Sequence, residues 1–227
     1  FVCTALLNAV KYVGAQPTLV DINPETYNID ISDLKKRVKR STKAIILPHL
    51  FGLPADIDEI MSLGIPVIED CAQAIGAVYK GKKAGSYGRL SCFSFYATKV
   101  LSTGEGGMVV SDSKNLLKKI RDFRDYDNKR NYSVRYNYKM MDIQAAMGIA
   151  QLKKLHSFLL KRVNIAKRYS SALQGFCNVP SVRYKDRKHI FFRFPIQIRG
   201  SVSKALNFFS ERGVTCARPV FKPIHKY

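Results

Sequence analysis

The 227-residue chain carries 38 lysines and arginines against 17 aspartates and glutamates, a formal net charge of +21, with 46% hydrophobic residues. That length and apolar content suffice for a sizeable buried core, and no stretch approaches the roughly 20 apolar residues of a membrane helix. The five cysteines (3, 71, 92, 177 and 216) make no CxxC pair and no metal-ligand spacing, which reads as reduced thiols of the cytoplasm and against a disulfide framework or a zinc site.

In chain order, residues 5–13 predict a helix ended by Gly14, and residues 17–22 a strand bounded by Asn23-Pro24. Residues 32–38 predict a short basic helix with Ser32 as N-cap, followed by a strand over 43–48. His49 then stands at a strand end, where a packed, hydrogen-bonded histidine is expected before a ligand or base. A helix over 57–63 leads into the strand 65–68, which ends abruptly in Glu69-Asp70. Further strands are expected over 90–95 and 108–111, with the turn 103–107 between them. Alternating strands and helices at this spacing define an α/β fold with a mainly parallel sheet. Beyond it come a helix over 115–126, a polar and aromatic loop over 127–139, and one long helix over 141–173 with Lys161, Arg162, Lys167 and Arg168 largely on its outer side. An alternating strand over 189–198 and a capped helix over 203–212, closed by Gly213, begin a smaller α+β domain. The division expected is 1–165 for the large domain and 166–227 for the start of the small one.

Two residues carry potential chemistry. Asp70 closes a buried strand, and in open α/β sheets ligands bind at that edge. Lys99 lies on a connection between two strands, near aromatic side chains that would desolvate it, lower its pKa and make it an amine nucleophile toward an aldehyde. Either residue alone also has an ordinary reading, since most lysines are solvated and an aspartate after a strand often caps a helix. The basic clusters at 35–40, 80–83 and 183–188 raise nucleic-acid binding as a rival, but the cations are scattered through every region and no recognition motif accompanies them.

The segments VIEDCAQAIGA, Gly85-Ser86, FSFYATK, TGEGGMVVSD and YNYKMMDIQAAMGIAQLKKL, in this order, resemble the pyridoxal-phosphate-dependent nucleotide-sugar aminotransferases of the DegT/StrS group. The resemblance covers essentially the whole chain and implies a fold-type I transferase. It implies that Lys99 is the Schiff-base lysine and proton shuttle, that Asp70 pairs with the pyridinium nitrogen, that Gln73 lies against the ring or its hydroxyl, and that Ser94 bonds the phosphate. Asn137 matches a residue reaching the partner's cofactor phosphate in a homodimer; beside it, Lys139 stands where many members have arginine and lacks the planar donor fork. Phe1 falls at the aromatic that stacks on the cofactor, with Cys3 as an alternative contact, and His225 matches a histidine near the substrate. The reaction implied moves an amino group from an amino acid, L-glutamate first among donors, to a nucleotide-linked keto-sugar. The phosphate-cradling first helix of the family has no counterpart before Phe1, and the family continues past residue 227, so the chain reads as a fragment lacking both ends. Relatives that act as dehydratases lack the lysine, so Lys99 argues against that alternative.

Overall fold

The computed structural model describes residues 2–220 and 222–226; Phe1, and with it the expected stacking aromatic, lies outside them. The chain opens on helix α1 (Thr4–Tyr12), which ends as Gly14 turns to φ +70°. Residues 17–22 form no strand. Ile22 makes a single antiparallel bridge to Ile29, and the Asn23 side chain accepts the amides of Glu25 and Thr26, which closes a turn where a strand would need a neighbour. Helix α2 (Ile31–Arg37) is capped by Asp30, whose carboxylate accepts the Asp33 amide at 2.8 Å. Ser32, the expected cap, lies inside the helix and donates to that same carboxylate.

Three short runs rich in Ile, Val and Leu then build the central sheet. Strand β1 (Ile45–Pro48) is followed by a 3-10 turn (Leu50–Gly52), helix α3 (Ile57–Met61) and strand β2 (Val67–Asp70). A small hairpin of β3 (Val78–Tyr79) and β4 (Lys82–Lys83) precedes β5 (Leu90–Ser94) and β6 (Gly107–Val110). Strand order is β1-β2-β5-β6; β1, β2 and β5 are parallel and β6 runs antiparallel at the edge. In this register Pro48 pairs with Asp70 and Asp70 with Cys92, so the C-terminal ends of three strands meet at one edge. Leu34, Ile45, Leu47, Ile57, Ile60 and Val67 fill the core beneath α2 and α3, and a second cluster joins Cys71, Ala74, Ala77 and Val100 to Ile190 and Phe192.

Helix α4 (Lys114–Arg124) is capped by Ser113, and the segment after it carries no helix or strand up to residue 141. The long helix expected over 141–173 is two: α5 (Asp142–Leu152) and α6 (Leu155–Leu173). The break follows Gln151, whose side-chain amide leaves the helix to bond both the N–H (3.0 Å) and the C=O (2.7 Å) of Ser102. Strand β7 (Arg187–Lys188) joins β3 in a second, antiparallel sheet of order β4-β3-β7. The strand expected over 189–198 does not form. Phe191 takes a left-handed φ of +51° and its amide bonds His189 Nδ1, which turns the chain away from any ladder. Helix α7 (Val202–Ser210) is capped by Ser201, and a 3-10 turn (Ile224–Lys226) ends the described chain. No helix among the described residues is long and apolar enough to cross a membrane.

Candidate active site

Alternation along β2 buries Val67 and Glu69 and leaves Ile68 and Asp70 half-buried at the strand's C-terminal edge. Asp70 Oδ1 accepts the Ala72 amide at 3.0 Å. Burial pushes the Asp70 pKa up, opposed by that amide and by the nearby charge of Lys99. Lys99 lies in the connection after β5, its backbone N–H turned back on the Tyr96 carbonyl at 2.9 Å. Its Nζ stands 5.3 Å from the centroid of the Phe192 ring, and burial pushes its pKa down against the pull of Asp70. The two charges feel each other, yet among the described residues they form no direct ion pair within 4.0 Å.

Gln73 reaches the floor of this edge. Its Oε1 accepts the Phe51 N–H at 2.8 Å, which fixes the amide's orientation, because only the oxygen can face a donor. Its N–H2 is thereby left as the outward donor. Ser94 closes β5 half-buried, and its Oγ accepts the Tyr96 amide at 3.4 Å. The structure thus gathers Asp70, Gln73, Ser94 and Lys99 at one strand edge and its adjoining turns. It does not bring Asn137 or His225 to them: both are exposed, and neither side chain bonds any of the four. Asn137 forms only a backbone bridge with Asp125.

Glu69, beside Asp70, was indistinguishable from it in the sequence but sits in a different environment. Its Oε2 accepts from His49 Nε2 (3.0 Å) and the Gly85 amide (2.7 Å), and its Oε1 from the Tyr87 amide (2.8 Å), the Gly88 amide (2.6 Å) and Ser91 Oγ (3.3 Å). Burial alone would raise its pKa, but these donors hold the carboxylate ionised, down to about 2. A Cβ on Gly88 would lie 2.9 Å from the Val67 carbonyl and 3.1 Å from Glu69 Cγ, so only glycine brings its amide this close. His49 Nδ1 accepts the Ala55 amide at 3.1 Å, which leaves Nε2 as the nitrogen that donates to Glu69. His49 is therefore the packed, hydrogen-bonded residue expected. His49, Glu69 and Cys71 lie close enough to suggest a metal site, but the Glu69 oxygens and both His49 nitrogens are already taken by protein partners.

Two arginines have roles here that the sequence does not signal. Arg162 does not face outward: it is half-buried, and its guanidinium caps the Phe191 and Phe192 carbonyls, each at 3.2 Å. That bond holds Phe192 over Lys99. Arg193 follows immediately and its charge also depresses the Lys99 pKa. No periodicity signals these roles, because they depend on the left-handed turn at Phe191.

Site and fold together define an α/β protein with a lysine and an aspartate at the C-terminal edge of a mostly parallel sheet. The chain belongs to the DegT/DnrJ/EryC1/StrS aminotransferase family, whose model matches residues 1–227. Pyridoxal phosphate is that family's cofactor. The chain is 37% identical to GDP-perosamine synthase of Escherichia coli O157:H7, over 97% of its own length and 63% of the relative's. It is 38% identical to a UDP-N-acetyl-3-dehydro-alpha-D-glucosamine 3-aminotransferase of Acidithiobacillus ferrooxidans, over 91% and 58% respectively. Its fold matches that of S. venezuelae DesV, solved in complex with a ketimine intermediate, with a TM-score of 0.93 and 29% identity, covering all of this chain and 63% of that one. The chain thus spans a little under two thirds of the length of these relatives.

Proposed function

We propose that the complete protein transfers an amino group from an amino acid, L-glutamate first among donors, to a keto carbon of a nucleotide-linked sugar, using pyridoxal phosphate. The observation that carries this reading is the opposition of Asp70 and Lys99 at one sheet edge, charge-coupled but not paired. A flat group with a basic nitrogen at one end and a carbonyl at the other matches the chemistry of a carboxylate and an amine at one edge. The DegT-family match and the sugar-aminotransferase relatives supply the substrate class.

Bound there, pyridoxal phosphate supplies the electron sink and the carbonyl that carries nitrogen from one substrate to the next. The chain's own residues do the rest. Lys99 would hold the cofactor through its Nζ and would serve as the base that moves a proton at the substrate carbon; its burial against Phe192 favours the neutral amine that this task needs. Asp70 holds a protonated ring nitrogen, and its own desolvation makes a cationic partner strongly favourable there. Gln73 donates from its outward N–H2, and Ser94 binds a phosphate oxygen through its hydroxyl. Asn137, exposed on the segment after α4, serves the site of a second subunit in a homodimer; the cofactor contact of Phe1, outside the described residues, and the substrate contact of His225, apart from the four gathered residues, rest on the family resemblance alone. The division into a cofactor domain (1–165) and the beginning of a small domain (166–227), and a cytoplasmic setting, belong to the same reading. The surplus of positive charge favours encounter with an anionic sugar nucleotide.

The test is amination by the complete protein of a keto-sugar nucleotide with L-glutamate. Formation of an amino sugar and 2-oxoglutarate in equal amounts is expected. A deoxygenated sugar without amino transfer would replace this reading with the dehydratase one.

A further inference from the structure

Lys99 has a second cation beside it. The Phe192 ring lies 5.3 Å from Lys99 Nζ and 5.6 Å from Arg193 Cζ. Arg193 is exposed, and among the described residues its guanidinium makes no hydrogen bond and no ion pair. Other arginines of this chain are engaged: Arg187 bonds Asp56, Asp186 and the Pro54 carbonyl, Arg135 bonds Asp122, and Arg162 bonds the two carbonyls that precede Arg193.

The backbone under Arg193 is nonetheless firmly held. Its own N–H donates to the Phe51 carbonyl (3.4 Å), and the Ile190 N–H donates to that of Gly52 (3.1 Å). A Cβ on Gly52 would come within 2.5 Å of Ile190 Cγ1, so the two segments are in close contact. Phe191 is locked at φ +51° by the His189 bond and by ring stacking with His189 at 3.9 Å. A fixed loop therefore presents an open five-donor fork beside the candidate nucleophile, and Asp70 is the carboxylate coupled to Lys99 there. Lys99 and Arg193 share the Phe192 ring, and the Arg193 guanidinium, with no hydrogen-bond or ion-pair partner among the described residues, is open to an anionic ligand.

We infer that Arg193 is an anion-recognition residue of the Lys99 site, taking a carboxylate or a phosphate of a substrate in a forked, charge-assisted contact. The inference rests on the proposed transfer reaction for the identity of that substrate: the carboxylate would come from the amino donor and the phosphate from the sugar nucleotide.

The experiment measures calorimetric binding of glutarate and, separately, of a nucleoside diphosphate to the cofactor-loaded complete protein. Neither probe can be turned over. The variants are Arg193→Gln, Arg193→Lys and Arg199→Gln, the last an exposed arginine that lowers net charge equally. Arg193→Gln is expected to weaken one probe roughly 10- to 100-fold, the range for losing a charged hydrogen bond. Arg193→Lys should fall between, and Arg199→Gln should match the native protein. Loss confined to glutarate assigns the donor carboxylate, and loss confined to the diphosphate assigns the sugar nucleotide. Equal binding by native protein and Arg193→Gln, or no binding of either probe by native protein, overturns the inference. A protein that binds glutarate through Arg193 but aminates no keto-sugar would keep the anion site and lose the reaction.

Discussion

Around β2 nearly every polar atom is matched within the chain, whereas the surface running from α4 through α5 is largely open. Glu69 is 0% exposed and satisfied by five donors from four separate stretches of sequence. By contrast Tyr132 is 95% exposed, Ile143 73% and Tyr138 70%. Met141, Met147, Ile149 and Leu152 are also exposed, so the same α5 that anchors Ser102 through Gln151 leaves several large apolar side chains uncovered. Exposed apolar surface in such amount is a mark of interaction sites. Asp70 and Lys99 thus lie where the chain satisfies its own polar groups, while Asn137 lies on the exposed surface that the proposed homodimer would cover.

Breaking the closed region should have the largest effects. Lys99→Ala removes both the covalent anchor and the proton carrier, and amination is expected to fall about 10³-fold or more. Steady-state rates with saturating cofactor check this, and a loss under tenfold would move the chemistry elsewhere. Glu69→Ala strands the His49 N–H and the amides of Gly85, Tyr87 and Gly88. Denaturant unfolding should show a loss of about 3–5 kcal/mol, the range for breaking a buried charge network; a loss below about 1 kcal/mol would mean that water replaces the carboxylate at little cost.

The same region makes a pH-dependent prediction with two separable windows. His189 is buried, and desolvation pushes its pKa down to about 4. A histidine held below its ordinary value contributes stability that is full above about pH 6.5 and is lost as pH falls toward 4, amounting to about 3 kcal/mol. Glu69, held down to about 2, contributes stability that is lost only below the ordinary carboxylate range. Unfolding measured between pH 7 and 4 should slope downward, and His189→Gln should flatten that slope without moving the more acidic one. An unchanged slope would assign the acid sensitivity to another group.

The open region should respond in the opposite manner. Ile143→Asp on exposed α5 is expected to change the stability of the isolated subunit by no more than about 0.5 kcal/mol, yet to convert dimer to monomer in sedimentation. A native protein that is monomeric at all concentrations would break the contrast.

How much of this could be read in the sequence follows the same division. β2, β5 and β6 were legible because apolar runs end in acidic or glycine-rich turns, and the placement of Asp70, Gln73, Ser94 and Lys99 near one edge because they fall in segments next to those ends. The strands expected over 17–22 and 189–198 failed because alternation says nothing about whether a neighbouring strand exists; Asn23 and Phe191 turn the chain instead. Glu69 could not be told from Asp70, since its environment is made by Gly85, Tyr87 and Gly88, many residues later. Arg162 and Arg193 were hidden among 38 cations, and only tertiary structure shows that one caps carbonyls and the other does not.

The central claim is that Lys99 is the residue to which pyridoxal phosphate attaches. Borohydride reduction of the complete protein with pyridoxal phosphate, followed by peptide mapping, tests it most directly. A single labelled peptide bearing the cofactor on Lys99 is expected. Label spread over surface lysines, or none at all, would contradict it.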